Sequence, residues 1–114
     1  MNELFEFKDA ILPVHLPQDL DHPQSDWIRK ETDRIMSRTY VKRIVFDFEN
    51  TEFMDSSGIG LIMGRYRALG MGQKCIMAVN TGSHIDKLLH LSGVHRYMEI
   101  QRAEEEGEDY GKSK

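Results

Sequence analysis

The chain has 114 residues, 39% hydrophobic and 30% charged, with a formal net charge of −4. That length suits one domain, which buries roughly two-thirds of its unfolded surface, and the composition speaks against disorder throughout. The acidic balance argues against a nucleic-acid surface, which needs clustered Lys and Arg; the basic pairs Lys42-Arg43 and Arg65/Arg67 are short and lie near acidic residues.

No basic region followed by an apolar segment opens the chain, so no signal peptide is read. No apolar stretch approaches the roughly 20 residues that span a bilayer, and a cytoplasmic protein without membrane contact is expected. Leu4, Phe5 and Phe7 suit a short edge strand over residues 4–7. Ala10 to Leu16 is a second strand in which Pro13 points to an edge or a bulge, because proline donates nothing to a ladder. Asp19-Leu20-Asp21-His22-Pro23 is a turn into a helix, with Pro23 suited to its first turn and Asp21 or His22 placed to cap it. The helix is predicted from Pro23 to Arg38, with Trp27, Ile28, Glu31, Ile35 and Met36 as a mostly apolar stripe. Val41 to Phe48 follows as a strand, largely buried over Arg43-Ile44-Val45-Phe46-Asp47-Phe48.

After the turn Asp55-Ser56-Ser57, apolar residues recur at helical spacing: Ile59, Ile62, Met63, Tyr66 and Leu69. Gly70 and Gly72 end that helix. Cys75 to Val79 is the next strand, and the lone Cys75 excludes an internal disulfide and reads as a small buried residue rather than a reactive thiol. Ser83 and Asp86 resemble a capping box opening a helix from His84 to Leu91, which Gly93 ends. Tyr97 to Ile100 supplies a last strand. Residues 101–114, with Glu104-Glu105-Glu106-Gly107-Glu108-Asp109, read as a solvated, mobile acidic tail behind a domain over residues 1–100.

Strands alternating with helices imply an α/β fold: a mixed, mostly parallel sheet of four to five strands with about three helices, joined by right-handed crossovers. In such sheets functional residues collect at the carboxyl ends of the strands. The turns Asp19–His22, Asp55–Ser57 and Asn80–Ser83 belong to that edge.

Ser56 and Ser57 stand where a strand feeds a helix start, with free backbone N–H groups and a dipole that favours negative charge. A serine there can be a cap, a nucleophile or a phosphate acceptor. Gly58, Gly60 and Gly64 weaken the helix and permit close approach, either by a partner or by the sheet itself. A hydrolase would need a base and an orienting group; nothing in the sequence places His15, His22, His84, His90 or His95 beside Ser56. Met54 also breaks the nucleophile-elbow pattern. His84 with Asp86, and His90 with His95, lack a recognised metal spacing, so no metal and no cofactor is expected. Gly70-Met71-Gly72-Gln73-Lys74 follows a helix, where a phosphate loop must precede one. Asp21 and Asp55 could tune a site or bind a cation, and each is also explained as a cap or turn former.

The segment Phe53-Met54-Asp55-Ser56-Ser57-Gly58-Ile59-Gly60, continuing through Gly64-Arg65-Tyr66, resembles the signature of STAS-domain anti-sigma-factor antagonists, most nearly the sporulation type. Leu20-Asp21-His22 resembles that family's turn before the first helix. Leu88-Leu89-His90-Leu91-Ser92-Gly93-Val94 resembles the segment after its third helix. The chain departs from the family at Pro17-Gln18-Asp19, where Thr-Gly-Glu is usual. The resemblance implies a single STAS-like domain that performs no chemistry itself. Its unphosphorylated form would bind an anti-sigma factor that doubles as a serine kinase and so free a sigma factor. Phosphorylation of Ser56 would end that binding, and a serine phosphatase of the PP2C type would restore it. The partner-binding surface implied is Asp21, Asp55, Ser56, Ser57 and Gly58. The competing reading is a STAS-like accessory subunit of a transporter or signalling scaffold without a phosphorylation cycle.

Overall fold

The computed structural model describes residues 8–104; the strand expected over 4–7 and most of the acidic tail lie outside them. A short 3-10 turn, Lys8–Ala10, leads into β1 (Ile11–His15). There follow β2 (Asp19–Leu20), α1 (His22–Met36), β3 (Arg43–Asp47), β4 (Phe53–Met54), α2 (Ser56–Ala68), β5 (Ile76–Thr81) and α3 (Ser83–Ser92). A second 3-10 turn, Val94–Tyr97, precedes β6 (Glu99–Arg102).

The main sheet has the order β1-β3-β5-β6 and every pairing in it is parallel. Each helix therefore connects neighbouring strands, always stepping the same way. Crossovers of one hand then place all three helices on one face of the sheet. The side chains agree. Along β3, Ile44 and Phe46 are buried while Arg43, Val45 and Asp47 are only half-buried. Along β5, Ile76 and Ala78 are buried beside the half-buried Met77 and Val79. The buried set meets Ile28 of α1, Leu61 and Ile62 of α2, and Ile85 and Leu89 of α3. Each such side chain contributes roughly 1.5–3 kcal/mol by leaving water. Pro13 sits exposed on the edge strand β1, where a missing donor is tolerated.

Three local expectations change. The buried stripe of α1 is Ser25, Ile28 and Thr32, with Ile35 and Met36 packed at its end. Trp27 is instead 61% exposed, because one helical step rotates a side chain by about 100° away from Ile28. The capping box at Ser83 does not form: Gly82 is the N-cap of α3 and offers no side chain. Asp86 turns to Arg102 at 3.7 Å and to His90 at 3.6 Å. The last strand starts later than Tyr97 and runs through Arg102, since residues after Gly93 first make a 3-10 turn. Gly93 itself takes the left-handed conformation, φ 85°, that closes α3.

Candidate functional site

Two pairs of residues too short to show a strand pattern build the site. In β2 and β4, Asp19 pairs with Phe53 and Leu20 with Met54, in parallel. Glu52 and Phe53 donate their N–H groups to the Gln18 carbonyl at 2.9 and 3.1 Å. The Gln18 amide donates to the Glu52 carboxylate at 3.1 Å, and the Thr51 hydroxyl to the Pro17 carbonyl at 2.8 Å. The Pro17-Gln18-Asp19 segment is thus clamped to the strand that carries the serines. Leu20 and Met54 are buried beneath this two-stranded sheet, so the starts of α1 and α2 are held side by side.

Both starts are capped by aspartate. Asp21 accepts from the Gln24 N–H at 3.1 Å, and Asp55 from the Ser57 N–H at 2.8 Å. The Asp55 N–H in turn reaches the Leu20 carbonyl at 3.4 Å. Each cap satisfies a donor the helix leaves unpaired, and together they make an acidic rim with Glu52.

The two serines face different neighbours. Ser56 is exposed and borders a shallow, mainly apolar hollow with Met54, Ile59, Leu88, Leu91 and Ser92. Ser57 is half-buried and borders a cleft of about 290 Å³ between α1 and α2, with His22, Ser25, Asp26, Arg29, Gly60 and Leu61. There the His22 Nδ1 lies 3.2 Å from the Ser57 Oγ. No local pattern signals this pair, because 35 positions separate its members and they meet where the β2–β4 pairing sets the starts of α1 and α2 side by side. Gly58, expected on the partner surface, is buried: a Cβ there would stand 2.5 Å from the Met54 Cγ and 3.0 Å from the Leu20 Cδ2. Its small size serves the seating of α2 on β2 and β4.

Behind the site, Arg65 is buried and its guanidinium donates to the Thr32 hydroxyl at 3.0 Å and the Asp33 carboxylate at 2.6 Å. It fastens α2 to α1. At the carboxyl ends of β3 and β5, Asp47 accepts from the Asn80 amide and the Glu49 N–H, each at 2.9 Å, and contacts His15 at 3.1 Å. Cys75 is buried, and burial pushes its thiol up, away from the reactive thiolate. His84 and His90 are exposed on α3, with the His90 ring stacked on His95. Among the described residues no three His, Cys, Asp or Glu side chains are grouped to hold a metal ion, and no helix is long and apolar enough to cross a membrane.

A four-stranded parallel sheet with three helices on one face and a two-stranded flap at its carboxyl edge is the STAS architecture. The STAS domain family matches residues 4–107, and the chain belongs to that family. It is 37% identical over 97 residues to the anti-sigma F factor antagonist of Paenibacillus polymyxa, covering 83% of this chain and 81% of the relative. Among solved structures it superposes on the anti-sigma factor antagonist SpoIIAA in its unphosphorylated form with a TM-score of 0.66 and 27% identity, over 89% of this chain and 87% of the other. The Bacillus cell fate determinant SpoIIAA in its phosphorylated form gives 0.62 and 31%, over 88% and 89%.

Proposed function

We propose that this chain is an anti-sigma-factor antagonist switched by phosphorylation of Ser56. The unphosphorylated form binds an anti-sigma factor with serine kinase activity, and a sigma factor is released. Phosphate on Ser56 ends the complex, and a PP2C-type phosphatase restores it. The protein acts in the cytoplasm as a substrate and binding module and catalyses nothing itself. One observation carries the reading: an exposed serine at the first position of α2, beside two aspartate caps, in a chain similar to SpoIIAA, a protein solved in both phosphorylation states.

The chemistry of the edge supports a local switch. A phosphate at a helix N-terminus is favoured by the dipole, so the fold survives modification. Asp21, Asp55 and Glu52 already make the rim acidic, and nearly two further charges beside them change what can dock there. The partner surface assigned by this reading is Asp21, Asp55, Ser56 and Ser57, with Gly58 shaping it from below.

The test is phosphopeptide mapping of the protein from its native cells, with co-purifying proteins identified in the same preparation. Phosphate on Ser56, lost in Ser56→Ala, together with a bound serine kinase is the expected result. An unmodified turn across growth conditions, with transporter components bound, would replace this reading with that of an accessory subunit.

A further inference from the structure

The chain presents two adjacent serine hydroxyls at one helix start, yet a switch needs one defined acceptor. Their surroundings differ. Ser56 is the first and Ser57 the second residue of α2, so about 100° of helical rotation separates their side chains. Ser56 is exposed and, among the described residues, no hydrogen bond ties its hydroxyl. Ser57 is turned into the α1–α2 cleft against His22. Gly58, the next residue, is buried where a Cβ would meet Met54 and Leu20, so the start of α2 lies close on β2 and β4.

We infer that His22 is a positioning residue that latches the Ser57 hydroxyl inside the α1–α2 cleft and leaves Ser56 as the sole phosphoacceptor. The inference rests on the switch reading above and adds the residue that sets its site specificity. A histidine beside a serine can instead act as a base that sharpens the nucleophile. That role needs a third group to orient the ring, and among the described residues no carboxylate pairs with His22. The cleft is also a poor place for a new dianion. Its Arg29 is already engaged by Asp26 and lies 4.0 Å from Asp33. The cleft's buried Ser25 hydroxyl, which has no partner among the described residues, offers one neutral donor against the Asp26 carboxylate.

The wild type, His22→Ala and His22→Asn are incubated with Mg·ATP and the recombinant anti-sigma F factor of Paenibacillus polymyxa, and phosphate is mapped by mass spectrometry. The wild type carries phosphate on Ser56, with less than about a tenth as much on Ser57. His22→Ala raises the Ser57 share about tenfold. His22→Asn, whose amide reaches the place of Nδ1, restores the wild-type distribution, which a merely structural role of the imidazole would not allow. An unchanged or lower Ser57 share in His22→Ala overturns the inference, the lower share marking His22 as a base. A second measurement needs no kinase: the His22 ring nitrogen resonances, which report a hydrogen bond at Nδ1, move in Ser57→Ala. Unmoved resonances would mean that the latch is open in solution, and the inference would fall. Absence of phosphate from both serines, while the Paenibacillus antagonist is modified in parallel, would sink the switch reading, and the ring nitrogen resonances would still decide the latch.

Discussion

Asp47 ends β3 level with His15, the last residue of β1, and beside Val79 of β5, and it gathers donors from several sides: the Asn80 amide, the Glu49 N–H and the His15 ring. Asn80 reaches it from a left-handed backbone, φ 60°, which asparagine tolerates better than most residues. The Asn80 hydrogen bond, helped by Glu49 N–H and His15, outweighs burial and holds the Asp47 carboxyl below the ordinary aspartate range. A depressed folded-state pKa stabilises the fold above the unfolded value and loses that contribution as pH falls through the folded one. Asp47→Asn should therefore cost about 1 kcal/mol at neutral pH. In urea unfolding at a series of pH values, the gap to wild type should close as pH drops below about 3.9. A gap that persisted in acid would assign the cost to packing instead. At the same scale, Gly58→Ala should cost about 1–3 kcal/mol by overpacking, since the new methyl meets Met54 mid-chain. Thermal melts would show it, and an unchanged melting temperature would mean that Met54 moves aside freely.

Among the elements, the helices and the central strands were legible because their signals are periodic or local. Asp21 and Asp55 were identifiable as caps or turn formers, Pro13 as an edge residue, and Gly93 as a helix stop, each from chemistry within a few residues. What escaped was made by distant partners. The β2–β4 pair is two residues long on each side, too short for alternation to register, yet it aligns the two helix starts. The buried face of α1 is hidden from sequence for a related reason: it includes Ser25 and Thr32, polar residues that hydrophobic periodicity discounts. Thr32 is buried because it receives Arg65 from α2. That clamp makes a prediction. The Asp33 carboxylate is half-exposed and rehydrates readily, whereas the Arg65 side chain is only 6% exposed. Asp33→Ala leaves the buried guanidinium with Thr32 as its main partner and should cost about 1–2 kcal/mol, more than the 0–1 kcal/mol of an ordinary surface pair. Adding Arg65→Met removes the stranded charge, so the double variant should recover part of the loss. Denaturant midpoints of the two single variants and the double variant measure this; strict additivity would show that the two helices are held by packing alone.

At the scale of the whole molecule, the proposed switch raises the question of whether a partner would be lost to charge or to bulk. The chain already carries −4, and Asp21, Asp55 and Glu52 concentrate part of it at the rim where α2 begins. A further negative charge at Ser56 is welcome to the helix dipole, which offers about 0.3–1 kcal/mol near its N-terminus. Ser56→Asp should therefore melt close to wild type. The same charge lies within a Debye length of the rim, about 10 Å at 0.1 M salt, and alters the potential that a partner meets. Ser56→Asn matches aspartate in shape without the charge and separates the two causes. The expected order of affinity for the anti-sigma partner is wild type, then Ser56→Asn close behind, then Ser56→Asp weaker by about tenfold or more, near 1.4 kcal/mol. Calorimetric titration at two salt concentrations reads it, and the gap between Asn and Asp should narrow as salt rises, because screening weakens charge and leaves shape untouched. If the two variants bound equally weakly, and salt changed neither, bulk beside the Met54, Ile59 and Leu88 hollow would be the cause and the electrostatic account would have to be abandoned.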